Sequence, residues 1–167
     1  MGQLYIIVAL AIGLLLPIQV GINAELSQRI SNPITASLIS FIVGTAGLML
    51  CLLVSRAPLP DWSTVSTLPT WLWFGGFIGA FAVFGGIVSG PKIGLLSLVA
   101  LVLTGQLLAS LIMDHYGWLG FPVRELSLGR ISGSFLLLVA VILIQKYYLY
   151  SALVHANSEI EEKINRA

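Results

Sequence analysis

Five stretches of this chain carry no Asp, Glu, Lys or Arg: residues 1–24, 30–55, 62–91, 93–113 and 131–145. A helix that crosses a bilayer needs about 20 mostly apolar residues, with a range of about 17–25. Four of the five runs reach that length unaided. The fifth is short, but Arg130 and Lys146 stand at its edges, and long basic side chains snorkel to the headgroups. Inside hydrocarbon, every backbone N–H and C=O must be satisfied within the protein, so continuous apolar runs become helices. Membrane-barrel strands would alternate in hydrophobicity over about ten residues, and these runs do not. Composition agrees: 57% of residues are hydrophobic and 9% charged, against about 25% charged in an ordinary soluble domain. Too little polar surface exists to cover a water-facing globule.

The reading is an all-α integral membrane bundle of five transmembrane helices, at about 3–24, 33–54, 69–89, 93–113 and 128–149, in one domain over 1–150. Residues 151–167 form a polar tail, read as a surface helix. The first run has no basic leader and no small-residue cleavage site ahead of a soluble domain, so it reads as a span, not a signal peptide. Asn32-Pro33 reads as N-cap and first position of the second helix. Ser89-Gly90-Pro91 reads as the same device between the third and fourth. Pro17 is expected to bend the first helix. Small residues recur at Gly75/Gly79, Gly86/Gly90 and Gly129/Gly133, the pattern that lets helix backbones approach closely in lipid. Trp62, Trp71, Trp73 and Trp118 fall near predicted helix ends, as an interfacial belt places them. The lone Cys51 lies inside an apolar helix and reads as packing.

No glycine-rich phosphate loop follows a strand. No His/Cys/Glu set has metal spacing, with His115 and His155 on different segments. No metal, cofactor or nucleic-acid partner is expected; the partners are the bilayer, a small-molecule solute and a second half-size chain. The candidate substrate-binding residues are the polar ones inside the spans: Gln19 and Asn23, four apart in the first, and Gln106 and Ser110 in the fourth. With the fourth helix centred near residue 103, Gln106 lies about 4.5 Å from the midplane, the depth at which secondary transporters bind solute. The alternative for these residues is interhelical glue. Asp114 continues the Gln106–Ser110 spacing about 12 Å further along. It stands near a helix C-terminus, marked by Gly117, where the dipole disfavours an anion. Arg124 or Arg130 is the candidate counter-charge. The alternatives for the set Asp114, Arg124 and Arg130 are a structural ion pair and a coupling site. Glu25 and Arg29 read as a surface pair, and Lys92 as a headgroup anchor.

Two blocks resemble a known family. The first is Gln19-x-x-x-Asn23 followed by Asn32-Pro33-x-x-Ala36-x-x-x-Ser40-Phe41-x-x-Gly44. The second is Pro91-Lys92-Ile93-Gly94, then Gly105-Gln106-x-x-x-Ser110-x-x-x-Asp114-His115-x-Gly117, then Arg130-x-x-Gly133. Together they resemble the five-helix, half-size branch of the drug/metabolite transporter superfamily, called YdcZ-like, over almost all of residues 5–145. The resemblance implies a bacterial inner-membrane protein and secondary transport, in the export direction, of small organic solutes or metabolites. Small multidrug exporters of the superfamily have a carboxylate deep in the first helix; this chain has none there, since Glu25 lies at the helix end.

Five helices are few for alternating access, which is usually built from two repeats of opposite topology. The chain reads as one half of such an inverted-repeat transporter. The side holding the N-terminus, residues 55–68 and residues 114–130 carries Arg56, Arg124 and Arg130. The other side carries Arg29, Lys92 and Lys146, with Lys163 and Arg166 in the tail. Such near-balance departs from the usual positive-inside excess and suits an antiparallel homodimer or a paired heterodimer. The rival readings are a non-transporting membrane subunit or assembly factor and, with no nucleophile–base pair in view, an integral membrane enzyme.

Overall fold

The computed structural model describes residues 2–166. The side chains of His155 and Lys163 lie outside the described residues. Five helices are long and apolar enough to cross a membrane: Gln3–Ile30, Pro33–Ser55, Thr70–Ile93, Leu95–Tyr116 and Leu128–Tyr148. No strand occurs among the described residues. Two compact units divide the chain, one ending at Ile93 and the other beginning at Gly94.

The first unit holds α1 (Gly2–Ile30), α2 (Pro33–Ser55), a short α3 (Trp62–Ser66) and α4 (Phe74–Ile93), the last entered through a 3-10 turn at Thr70–Trp73. The α1–α2 connection is tight. Ser31 turns the chain at φ 52°, and Asn32 Oδ1 accepts from the N–H groups of Ile34 and Thr35, both at 3.0 Å. Pro33 then occupies the first turn, where its missing N–H costs nothing. α1, α2 and α4 all pack on one another. Their buried residues gather toward the α1–α2 turn: Asn23 on α1, Ala36 and Ser37 on α2, and Gly86, Ile87 and Gly90 on α4. Glycine sets the approach. A Cβ on Gly86 would meet Val20 Cγ2 at 3.4 Å, and one on Gly79 would meet the Phe41 ring at 3.6 Å. Residues 3–16 of α1 are exposed throughout, so the helices converge at one end and open toward the other.

Two helix boundaries shift. The first helix runs six residues beyond 24, carrying Glu25 and Arg29 as its last turn. It remains a single helix through Pro17. The break expected at Ser89-Gly90-Pro91 is absent: α4 continues through Pro91 to Ile93. Proline removes its own N–H and strips the carbonyl four residues back of its partner, but near a helix end this does not stop the chain. The stop falls at Gly94, where φ is +80°, a conformation that L side chains avoid. Tyr148 also packs against that face, 3.0 Å from where a Cβ would sit.

The second unit is an antiparallel hairpin of α5 (Leu95–Tyr116) and α6 (Leu128–Asn165). On α5 the less exposed positions are 97–100, 104, 107, 111, 113 and 114; on α6 they are 130, 134, 137, 138, 141, 144, 145 and 151. Positions 97, 100, 104, 107, 111 and 114 on α5, and 130, 134, 137, 141 and 144 on α6, step by threes and fours along one helical stripe each, and these stripes form the seam. Gly129 and Gly133 have nothing within 4 Å of an added Cβ, so this third small-residue pair makes no close helix approach among the described residues. The tail follows α6 without interruption to Asn165, about 25 Å past Tyr148 at 1.5 Å per residue.

Candidate functional site

Within the first unit, Gln19 and Asn23 part company. A helix advances about 100° per residue, so a step of four carries the second residue about 40° around the axis. Asn23 turns into the packed face and keeps 5% of its surface. Gln19, one turn nearer the open end, is exposed. Neither carboxamide has a hydrogen-bond partner among the described residues. No fully enclosed side-chain N or O among those residues lacks a partner, so the small exposure left to Asn23 belongs to its polar tip.

The same drift divides the stripe on α5. Leu95–Tyr116 has 22 residues, which puts its centre between Gly105 and Gln106, at the middle of the span. From Gln106 to Asp114 the accumulated rotation is about 80°. Gln106 consequently faces away from α6, exposed and without a partner among the described residues. Ser110 lies between, exposed, and its hydroxyl donates to the Gln106 carbonyl at 2.6 Å. Such back-bonding is the usual fate of a mid-helix serine.

Asp114 reaches the seam and pairs with the Arg130 guanidinium of α6. The two side chains are 25% and 31% exposed, so the pair is largely withdrawn from solvent. Arg124 takes part through its backbone: its N–H donates to the Asp114 carbonyl at 2.8 Å, and its carbonyl accepts from Arg130 Nη1 at 3.4 Å. Gly117, at φ +64°, donates its N–H to the Met113 carbonyl. Two carbonyls that a helix end leaves unpaired are thus satisfied by the chain that follows. Val123 packs so closely that a Cβ on Gly117 would lie 2.7 Å from its Cγ2. Asp114, Arg124 and Arg130 form one compact knot at the end of the hairpin, and Gln106 and Ser110 are not part of it.

The opposite end of the hairpin has a polar tie that sequence reasoning missed. Gln145 Nε2 donates to the Ser97 carbonyl at 3.3 Å. Gln145 is one turn from Val141, which is buried, on the stripe that faces α5. Grooves of about 550 and 510 Å³ open between α5 and α6. The first is lined by Leu95, Ser97, Leu143 and Tyr147 among others, the second by Leu111, His115, Leu126 and Phe135 among others. Neither includes Gln106 or Ser110. In the first unit, a groove of about 450 Å³ between α2 and α4 is lined by Phe41, Phe81 and Phe84, without Gln19 or Asn23. Glu25 and Arg29 form an exposed pair at 2.8 Å. No group of three or more His, Cys, Asp or Glu placed to hold a metal occurs among the described residues.

Residues 4–143 match the family model described as "Putative inner membrane exporter, YdcZ". Inner membrane protein YdcZ of Escherichia coli (strain K12) is 27% identical over 137 residues, covering 82% of this chain and 91% of that protein. No solved structure matches.

Proposed function

Since the chain belongs to the YdcZ family of inner-membrane exporters, we propose that it is a half-size secondary transporter that exports small organic solutes or metabolites as an antiparallel homodimer or with a homologous partner. It is a multi-pass protein of the inner membrane. In this reading Gln19, Asn23, Gln106 and Ser110 contact the solute, while Asp114 and Arg130, with the Arg124 backbone, hold the end of α5.

The observation that carries the reading is Gln106. A carboxamide that is central in its span, exposed and unpartnered faces hydrocarbon if the chain is alone. Transfer of an uncompensated amide to an apolar medium costs about 2–7 kcal/mol. Water or a second chain relieves that cost, and a solute path at a subunit boundary would supply either. Gln19 makes the same demand in the first unit. The near-even Lys/Arg distribution supports the antiparallel form, because a half-size chain inserted both ways supplies the two opposed repeats of an alternating-access device.

Two measurements test this. Gln106→Leu should fold and reach the membrane at wild-type level, while solute flux from reconstituted vesicles is lost. Paired C-terminal reporters, one active only in the cytoplasm and one only outside it, should both give signal. A single active reporter, unchanged when a Lys is added to the 55–68 loop, rules out the antiparallel homodimer. Normal flux in Gln106→Leu would make Gln106 a packing group, while no solute flux from the unaltered chain would favour a non-transporting membrane subunit.

A further inference from the structure

Where the span of α5 begins and that of α6 ends, the two helices leave a groove of about 550 Å³. One wall is the first turn of α5, from Gly94 to Ser97. The N–H groups of a first turn have no partner inside their own helix. At other caps the chain supplies one: Asn32 Oδ1 accepts from two N–H groups of α2, and Ser127 Oγ accepts from one of α6. At α5 it does not. Gly94 holds the cap position and has no side chain to accept them. The first bond of the helix runs from the Leu98 N–H to the Gly94 carbonyl at 3.0 Å. The N–H groups of Leu95, Leu96 and Ser97 have no assigned acceptor among the described residues.

The Ser97 side chain is unclaimed as well. Ser97 is 2% exposed. Its carbonyl accepts from Gln145 Nε2, but its hydroxyl has no assigned partner among the described residues. Serines deeper in the spans donate to the carbonyl four residues back, as Ser37, Ser110 and Ser134 do. Four residues before Ser97 stands Ile93, the end of the preceding helix, so Ser97 has no such carbonyl in its own. No fully enclosed side-chain N or O among the described residues lacks a partner. The Ser97 hydroxyl therefore opens on the groove that its residue lines. A buried polar group that the protein leaves unmatched is matched by something that enters.

Three N–H groups and a hydroxyl free to donate, at the positive end of a 22-residue helix, call for an anion with several acceptor oxygens. No Asp or Glu occurs in residues 94–113 or 126–158 to oppose one. The opposite wall, with Leu143 and Ile144 of α6, is apolar, and Ser151 stands beside it. A free anion would leave that wall bare. A phospholipid fills both halves, with its phosphate on the donors and the start of its acyl chains along the leucines. We propose that the groove holds the phosphate of a membrane phospholipid on the first turn of α5, with Ser97 Oγ as a further donor. The site is separate from Gln106 and stands whether or not the chain carries a solute.

The full chain is purified in a maltoside detergent, washed free of lipid and titrated with three probes. These are dioctanoyl-phosphatidylglycerol, dioctanoylglycerol, which has the same chains and no phosphate, and inorganic phosphate. Melting is read by loss of the monodisperse peak after heating. The expected result is a saturable rise in melting point with the phospholipid and none with the other two at the same concentrations. Ser97→Ala should raise the half-saturating lipid concentration about tenfold, the worth of one hydrogen bond to a charged group. Leu96→Glu sets a carboxylate beside the same N–H groups; it should leave the lipid-free chain folded and abolish the lipid shift. Ser132→Ala, at the other end of the α6 span, should respond as the wild type does. An equal shift with dioctanoylglycerol would mean that the groove takes acyl chains alone, and an equal shift with inorganic phosphate that it takes a free anion; either overturns the lipid-phosphate assignment. No shift with any probe overturns it too, as do folded Ser97→Ala and Leu96→Glu variants that both respond like the wild type.

Discussion

Breaking the Asp114–Arg130 pair should weaken the chain without stopping transport. The magnitude follows from its surroundings. Removing one partner from a fully buried ion pair costs about 3–5 kcal/mol, and an exposed pair is worth about 0–1 kcal/mol. With side chains 25% and 31% exposed, this pair falls between, at about 2 kcal/mol. For a chain of this size, each kcal/mol moves a melting point by about 2–4 °C, so Asp114→Asn and Arg130→Gln should each lose about 4–8 °C. The double variant is the sharper test. If the two groups act on each other, Asp114→Asn combined with Arg130→Gln should be little worse than the weaker single variant, because the first change has already cost the interaction. Melting is read on detergent-purified protein by loss of the monodisperse peak after heating. Flux per folded molecule is read on the same samples returned to vesicles, and should be retained. Additive melting losses would mean that the two side chains serve separate purposes. An Asp114→Asn variant that melts like the wild type yet loses pH-dependent flux would make Asp114 the coupling acid and reverse the assignment.

Gln145→Leu should lose about 1 kcal/mol, the net worth of one hydrogen bond, visible as a small drop in the same melting assay; no drop would mean that the apolar seam alone holds the Ser97 end of the hairpin. Gly117→Ala should destabilise by about 1–3 kcal/mol, since φ +64° is strained for Ala and Val123 blocks its Cβ, whereas Gly133→Ala, inside α6 with open space at its Cβ, should stabilise by about 0.5–1 kcal/mol through helix propensity; equal melting of the two would refute the packing argument. Asn32→Ala should cost about 1 kcal/mol through loss of the α2 cap, read as a lower melting point, and wild-type melting would show that the cap bonds contribute nothing.

The membrane spans were legible because the signal is coarse: a run with no charge is a run in lipid, whatever its details. The Asn32-Pro33 cap and the Gly117 stop were legible because each motif has one backbone job. The α4 boundary was misplaced because proline and glycine compete as punctuation. Pro91 removes one hydrogen bond near a helix end, which the helix survives, while Gly94 takes a backbone conformation that ends it. The tail was set apart by its polarity, but polarity reports on solvent and not on the backbone, and α6 carries on to Asn165. Gln145 was passed over because a lone glutamine at the edge of an apolar run looks like the beginning of the headgroup region. Only the seam register, with Val141 one turn before it, shows that it points inward.

The spacing of Gln106, Ser110 and Asp114 shows where reading one face of a helix fails. Four-residue spacing approximates a stripe, but each step slips about 40°. Two steps suffice to move a residue from the open face of α5 to the flank of its seam with α6. Had the three been spaced by 3 and then 4, they would have stayed on one side and shared one environment. As they stand, Gln106 is left without a partner among the described residues, the last is paired with Arg130, and the middle hydroxyl is consumed by its own helix. The same slip separates exposed Gln19 from buried Asn23 on α1. A repeat of fours therefore distributes polar groups around a helix, giving one end a structural tie while leaving a carboxamide exposed at the centre of the span.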